Sequence, residues 1–162
     1  MKDKLFIKID QDGDRVLKFS IADNISEVYG LPEIHEYINS QKLLRVVIDI
    51  DALQEDMEAN RIKAQEVFIR ICLFFIRALY QILNCSWKDI LRGLVIAISS
   101  DPSKCSYHIL YALTLLIDHH ELKVFIELVY TITGKKFGKY INRKLSDQNF
   151  NLRLIGLTKK VV

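Results

Sequence analysis

Apolar and polar residues alternate from Lys4 to Ile9 and again from Arg15 to Phe19. Strand side chains point to the two faces in turn, so both runs read as strands. Between them Gln11-Asp12-Gly13-Asp14 has the composition of a tight turn, and the three pieces predict a hairpin. Leu31 to Asn39, with Pro32 near its start, reads as a short helix. Leu43 to Asp51 is a strongly apolar strand that ends in acids. Asn60 to Asn84 reads as one long helix whose second half is apolar on all sides, which predicts burial. Gly93 to Ser99 is a second apolar strand, followed by the loop Ser100 to Cys105, and Ser106 to Leu113 is a third. Asp118 can cap the next helix, with Glu121 three residues on completing a capping box. That helix runs to about Thr133, where Gly134 suits its end. Phe150 to Ile155 is the last strand expected.

Helices therefore alternate with strands, and no internal repeat is visible. The pattern predicts an α+β (mixed α/β) fold, a modest sheet with helices against it, as a single domain over residues 1–162. Composition agrees. Half the residues are hydrophobic and 27% are charged, which suits a packed globular chain and argues against disorder. The net charge of +3 permits nucleic-acid binding without pointing to it. Cys72, Cys85 and Cys105 lie far apart and form no C-x-x-C pair, so they suit reduced intracellular thiols better than a zinc ribbon or a disulfide framework. Met1 to Asp14 is too charged for a signal peptide. The most apolar stretch, Val67 to Leu83, contains Arg70 and Arg77, two turns apart on one face; it reads as a core helix, and no membrane partner is expected.

Three segments carry candidate chemistry. In Val46-Val47-Ile48-Asp49-Ile50-Asp51 the two aspartates point the same way while Ile48 and Ile50 face the core. Paired carboxylates repel unless a cation lies between them, and hard divalent ions take such ligands; a solvated strand end would look the same. In Lys104-Cys105-Ser106-Tyr107-His108 the ammonium, hydroxyl and imidazole share a face if the strand has begun at Lys104, which suits phosphate; ordinary strand residues and a solvated lysine are the plainer reading. Arg153 lies on an apolar strand, where a lone charge needs a partner. That partner is either a bound phosphate, with Lys159 adding a second charge, or a nearby acid. Asp10, Asp12 and Asp14 superficially suggest a calcium loop, but the glycine falls at the fourth position and Ile21 at the twelfth, so a polar turn is expected. His119 and His120 read as exposed or capping residues beside Asp118. Lys135, Lys136, Lys139, Arg143 and Lys144 form a basic run that could meet a nucleic-acid backbone but reads more simply as a solvated face.

Taken in order, these segments resemble the archaeo-eukaryotic primase superfamily, and within it the primase-polymerase and large-DNA-virus primase branch. The first motif of that family is a hydrophobic strand with two acids spaced by two, as in Asp49 and Asp51. The second is Ser-x-His with an upstream lysine, as in Lys104, Ser106 and His108. The third is an acid followed by an asparagine-aromatic segment, then Arg-Leu and a lysine, as in Asn149 to Lys159. The similarity covers Leu43 to Lys159. It implies a primase-like catalytic core, a small, mainly antiparallel sheet flanked by helices, truncated after Lys159. It further implies a DNA primase or polymerase-like nucleotidyltransferase that uses Mg2+ or Mn2+ in DNA replication. Asp49 and Asp51 would hold metal and, with His108, serve catalysis. Lys104, Ser106, His108, Arg153 and Lys159 would hold the triphosphate. The implied partners are nucleoside triphosphates and single-stranded or primer-template DNA, with any helicase or other replication partner unspecified.

One position departs from the pattern. The family's third acid precedes the arginine by about eleven residues, and counting back from Arg153 reaches Asn142. Asp147 is near but out of register. An asparagine offers only a neutral oxygen to a hard cation. The expectation is retained triphosphate binding with weak or absent polymerisation. A catalytically inactive nucleotide- or nucleic-acid-binding module of primase-like fold is the alternative, and an interaction domain with vestigial motifs is a third.

Overall fold

A computed structural model of the chain describes residues 5–9, 18–23, 34–38, 43–147 and 150–153. The elements in order are β1 (Leu5–Ile9), β2 (Lys18–Ala22), β3 (Ile34–Ile38), β4 (Leu44–Leu53), α1 (Gln54–Ala59), α2 (Ala64–Leu83), α3 (Trp87–Arg92), β5 (Leu94–Ile98), β6 (Lys104–Ile117), α4 (His119–Thr133), α5 (Lys135–Gly138), a 3-10 turn (Leu145–Asp147) and β7 (Phe150–Arg153). The fold is mixed α+β. The chain divides into two compact units, residues 1–39 with 149–162, and residues 40–148.

The first unit is built on a four-stranded antiparallel sheet in the order β2-β1-β3-β7. β1 and β2 pair from Leu5 opposite Ala22 to Ile9 opposite Lys18, which is the expected hairpin; its turn, with Asp10, Asp12 and Asp14, lies outside the described residues. The helix expected over Leu31 to Asn39 is not formed at its centre. Ile34–Ile38 is instead strand β3, flanked by β1 and β7. Hydrogen-bonding neighbours on both sides outweigh the local helix-start signal of Pro32, a long-range effect that propensity cannot anticipate.

The second unit carries a three-stranded antiparallel sheet in the order β4-β6-β5, with α2 and α4 packed on it. Their core faces follow helical spacing: Val67, Ile71, Phe75, Ala78 and Leu79 on α2, and Leu122, Phe125, Ile126 and Val129 on α4, are buried. Phe75 meets Phe125 edge-on, with ring centroids 5.4 Å apart. These side chains close over Ile48, Ile50 and Ile109, all fully buried. The long helix expected from Asn60 starts only at Ala64, because Arg61 adopts a left-handed backbone (φ 55) and separates α1 from α2. Asp118 caps α4 as expected: its carboxylate accepts from the Glu121 N–H at 2.8 Å, and the Glu121 carboxylate accepts from the Asp118 N–H at 2.9 Å. Gly134 ends that helix at φ 83, where a side chain would be strained. Among the described residues no helix is long and apolar enough to cross a membrane.

Candidate functional site

The site grows out of the pairing of β4 with β6. Asp49 lies opposite His108, Asp51 opposite Ser106 and Leu53 opposite Lys104. Because β6 begins at Lys104, residues 104, 106 and 108 fall on one face, the face that Asp49 and Asp51 share. The turn Asp101-Pro102-Ser103-Lys104 fixes the start of that strand. An Asp101 carboxylate oxygen accepts from the N–H groups of Ser103 (2.8 Å) and Lys104 (3.2 Å), and Pro102 presets the backbone between them. The opposite side chains, Ile48, Ile50 and Ile109, anchor both strands in the core.

A third segment completes the group. Tyr140 to Asn142 runs along the outer edge of β4: the Asp51 N–H donates to the Tyr140 carbonyl and the Asn142 N–H to the Asp49 carbonyl, both at 2.9 Å. This brings the Asn142 side chain to Asp49. Its Nδ2 donates to Asp49 Oδ2 at 3.0 Å, while its Oδ1 accepts from the Lys144 N–H at 3.2 Å. The second bond fixes which way the amide points, so Asn142 presents a donor, not an oxygen, to the carboxylate.

Every acid in the group has a donor. His108 Nε2 lies 3.2 Å from Asp49 Oδ1, and Lys104 Nζ lies 3.1 Å from Asp51 Oδ1. Ser106 Oγ donates to the same Asp51 oxygen in a very short contact. The two aspartates nonetheless titrate in opposite directions. Burial pushes Asp49 above the ordinary carboxylate range, with Asp51 adding to the rise, against the lowering effect of His108, the Asn142 hydrogen bond and Lys104. Asp51 is also raised by its burial, but the hydrogen bonds from Ser106 and Lys104, with the charges of Lys104 and His108, outweigh that and hold it below the ordinary range. Adjacent carboxylates driven apart in this way are a recurring property of functional sites.

No family model matches the chain, and no curated protein matches it.

The β4–β6 register does not include the remaining expected residues. Arg153 belongs to β7 of the four-stranded unit, in register with His35. Lys159 lies outside the described residues. Asp147 closes the 3-10 turn. His119 and His120 stack on each other in the first turn of α4, with centroids 3.9 Å apart, away from the β4–β6 register. In the basic run, Lys139 pairs with Asp56 at 2.6 Å, and Arg143 clamps Glu127 with two bonds of 2.7 and 2.8 Å over the ring of Tyr130. Those two cations are thus engaged in holding the fold together.

A resident divalent ion fits this donor set poorly. Both Asp49 oxygens are engaged, and at the third position Asn142 turns N–H groups toward the site. Among the described residues no group of three His, Cys, Asp or Glu side chains is arranged to hold a metal. The group is better described as acids and cations that neutralise one another, with the second oxygen of the half-exposed Asp51 carboxylate left outside the hydrogen bonds given above.

Proposed function

We propose that this chain is a primase-polymerase-like domain that binds a nucleoside triphosphate on the β4–β6 face, with its capacity for template-directed nucleotide addition weakened by Asn142. The observation that carries the reading is the register of β4 with β6, which sets Asp49 and Asp51 directly against His108, Ser106 and Lys104. Without ligand, Lys104 is held by Asp51 and His108 by Asp49. A triphosphate is the kind of anion for which an ammonium, an imidazole and a hydroxyl on one face can exchange those partners. A divalent cation carried in with the phosphates would compensate the carboxylates so released and supply charge neutralisation at the phosphates. The residues themselves bind and position; none is placed to form a covalent intermediate. The nucleic-acid partner would be single-stranded or primer-template DNA.

The alternative, a binding module without chemistry, is favoured by one specific contact, the donation from Asn142 Nδ2 to Asp49. Two measurements decide. Titration of the chain with deoxynucleoside triphosphate and Mn2+ should show saturable binding, weakened roughly ten- to hundredfold by Lys104→Ala or His108→Ala, since each removes a charge-assisted hydrogen bond of about 1.5–3 kcal/mol. Absence of binding at millimolar nucleotide overturns the proposal. Primer extension that is absent in the chain and appears in Asn142→Asp supports a primase-like site; extension absent from both leaves the binding module.

A further inference from the structure

Four hydrogen bonds lock Asn142 in place. Its N–H donates to the Asp49 carbonyl at 2.9 Å, and its carbonyl accepts from the Leu145 N–H at 3.4 Å. Its side-chain Oδ1 accepts from the Lys144 N–H at 3.2 Å, and Nδ2 donates to Asp49 Oδ2 at 3.0 Å. Ile141 before it and Leu145 after it are buried, so the backbone that carries the amide is anchored in the core. Presenting the amide oxygen to a cation would break both side-chain bonds at once. Asn142 is built to hold Asp49.

The two aspartates differ in what they can offer. Asp49 keeps only 12% of its side chain exposed, with Oδ2 held by Asn142 and Oδ1 lying 3.2 Å from His108 Nε2. Asp51 keeps 44% exposed, and its contacts from Lys104 and Ser106 both fall on Oδ1. Burial also disfavours the charged form of Asp49, whereas Asp51 is held below the ordinary carboxylate range. Hard cations take charged, accessible oxygens. That describes Asp51 and not Asp49. What Asp49 does face is an imidazole. One ring nitrogen of His108 is turned to the carboxylate, and the other, Nδ1, makes no hydrogen bond among the described residues.

We propose that Asn142 and Asp49 are positioning residues for His108: the amide fixes the carboxylate, the carboxylate fixes the imidazole, and Nδ1 of the ring is left to meet a phosphate oxygen. The proposal rests on the nucleotide reading of the β4–β6 face and divides the labour within it. An imidazole with one nitrogen committed to a carboxylate presents the other in a set direction. Flanked by carboxylate and phosphate, the ring donates to both. Exchange of partners then falls to Asp51 alone. As phosphate draws Lys104 and Ser106 away, a cation arriving with the nucleotide meets Asp51, while Asp49 stays with Asn142 and His108. The asparagine at position 142 is a working part of the phosphate site, supporting a group that touches ligand through a group that does not.

Mutant cycles on deoxynucleoside triphosphate binding to the full chain, in saturating Mn2+, test this. Asp49→Asn leaves one acceptor oxygen for two donors, and Asn142→Ala removes the support of that acceptor. Each should weaken nucleotide binding roughly three- to thirtyfold, the size of coupling between residues in contact. Neither should have any further effect in a His108→Ala background. The Mn2+ concentration that half-saturates the complex should be unchanged in Asp49→Asn and raised in Asp51→Asn. Three results overturn the inference and leave the nucleotide reading intact: no loss from either substitution, an Asp49→Asn loss that persists undiminished beside His108→Ala, or a raised Mn2+ requirement in Asp49→Asn. A native chain that binds no nucleotide overturns the reading, and this inference with it. Asp49→Asn removes a buried charge and should fold; if Asn142→Ala does not, the Asp49→Asn cycle decides alone.

Discussion

Replacing Asn142 by aspartate tests the electrostatics of the site most directly. In the native arrangement Asn142 Nδ2 donates to Asp49 Oδ2 across 3.0 Å. Asn142→Asp turns that contact into two facing carboxylates. The lost hydrogen bond to a charged acceptor costs about 1.5–3 kcal/mol. Two like charges about 3 Å apart, at an effective dielectric of about 20, repel by about 5 kcal/mol. Protonation limits the damage. Holding one ordinary carboxyl protonated near neutral pH costs about 4 kcal/mol, since each pK unit is 1.36 kcal/mol. The protonated carboxyl also becomes a donor to its neighbour, so the repulsion and the lost bond both give way to this one term, and a net destabilisation of about 4 kcal/mol is expected in the absence of metal, large enough to lower the melting temperature by about 10 °C. The same substitution creates three carboxylates within reach of one cation. Mn2+ at about a hundred times its dissociation constant would return about 2.7 kcal/mol. The assay is thermal denaturation of both chains in chelator and in millimolar Mn2+. The expected pattern is a large loss for Asn142→Asp in chelator, largely recovered by Mn2+, and a much smaller metal response in the native chain. Equal melting temperatures in chelator, or a variant indifferent to Mn2+, would refute the reasoning.

Other outcomes follow from the same contacts. Asp49→Asn should stabilise the chain near neutral pH and lose that advantage in acid: the buried carboxyl has a raised pKa, so its contribution is fully present below the unfolded value near 3.8 and is lost as pH rises through the folded value. Asp51→Asn should show the opposite trend, since a lowered folded pKa gives stability that is present above about 3.8 and lost as pH falls through the folded value; melting curves from about pH 3 to 8 check both signs. Asp118→Ala removes the capping-box acceptor of α4 and should cost about 1 kcal/mol in denaturant unfolding. Gly93→Ala places a methyl group 2.6 Å from the Tyr111 ring and 2.8 Å from Leu113, so it should lower the melting temperature unless those side chains move.

The parts of this fold legible in the sequence are those decided within a few residues. The box between Asp118 and Glu121 and the stop at Gly134 depend on neighbours in the chain, and both formed where the pattern put them. The apolar strands around Asp49 and Ile96 were also readable, because a continuous β-branched run bounded by polar residues has few other uses. Leu31 to Asn39 reads locally as a helix yet forms a strand at its centre, because its partners, β1 and β7, are remote in sequence. The break at Arg61 carries neither proline nor glycine, so nothing local announces it. At the candidate site, alternation alone put Asp49 and Asp51 on one face and Lys104, Ser106 and His108 on another stretch. That the two stretches lie side by side is a matter of strand register, which a single sequence does not encode legibly. Counting back from Arg153 reaches Asn142, but its orientation depends on the backbone of Lys144 and the rim of β4. No count of spacings could have shown that it donates a proton instead of offering an oxygen.

The strip from Tyr140 to Asn142 has an effect beyond delivering an amide to Asp49. By bonding along the outer margin of β4 it covers that edge of the three-stranded sheet from Asp49 to Asp51. Covering part of an edge is one way a sheet avoids pairing with a foreign strand. Along this stretch the Asp51 N–H and the Asp49 carbonyl already have partners, so an incoming strand finds neither free. The short peptide that sets an amide against Asp49 thereby also shields the acidic end of β4 from mispairing.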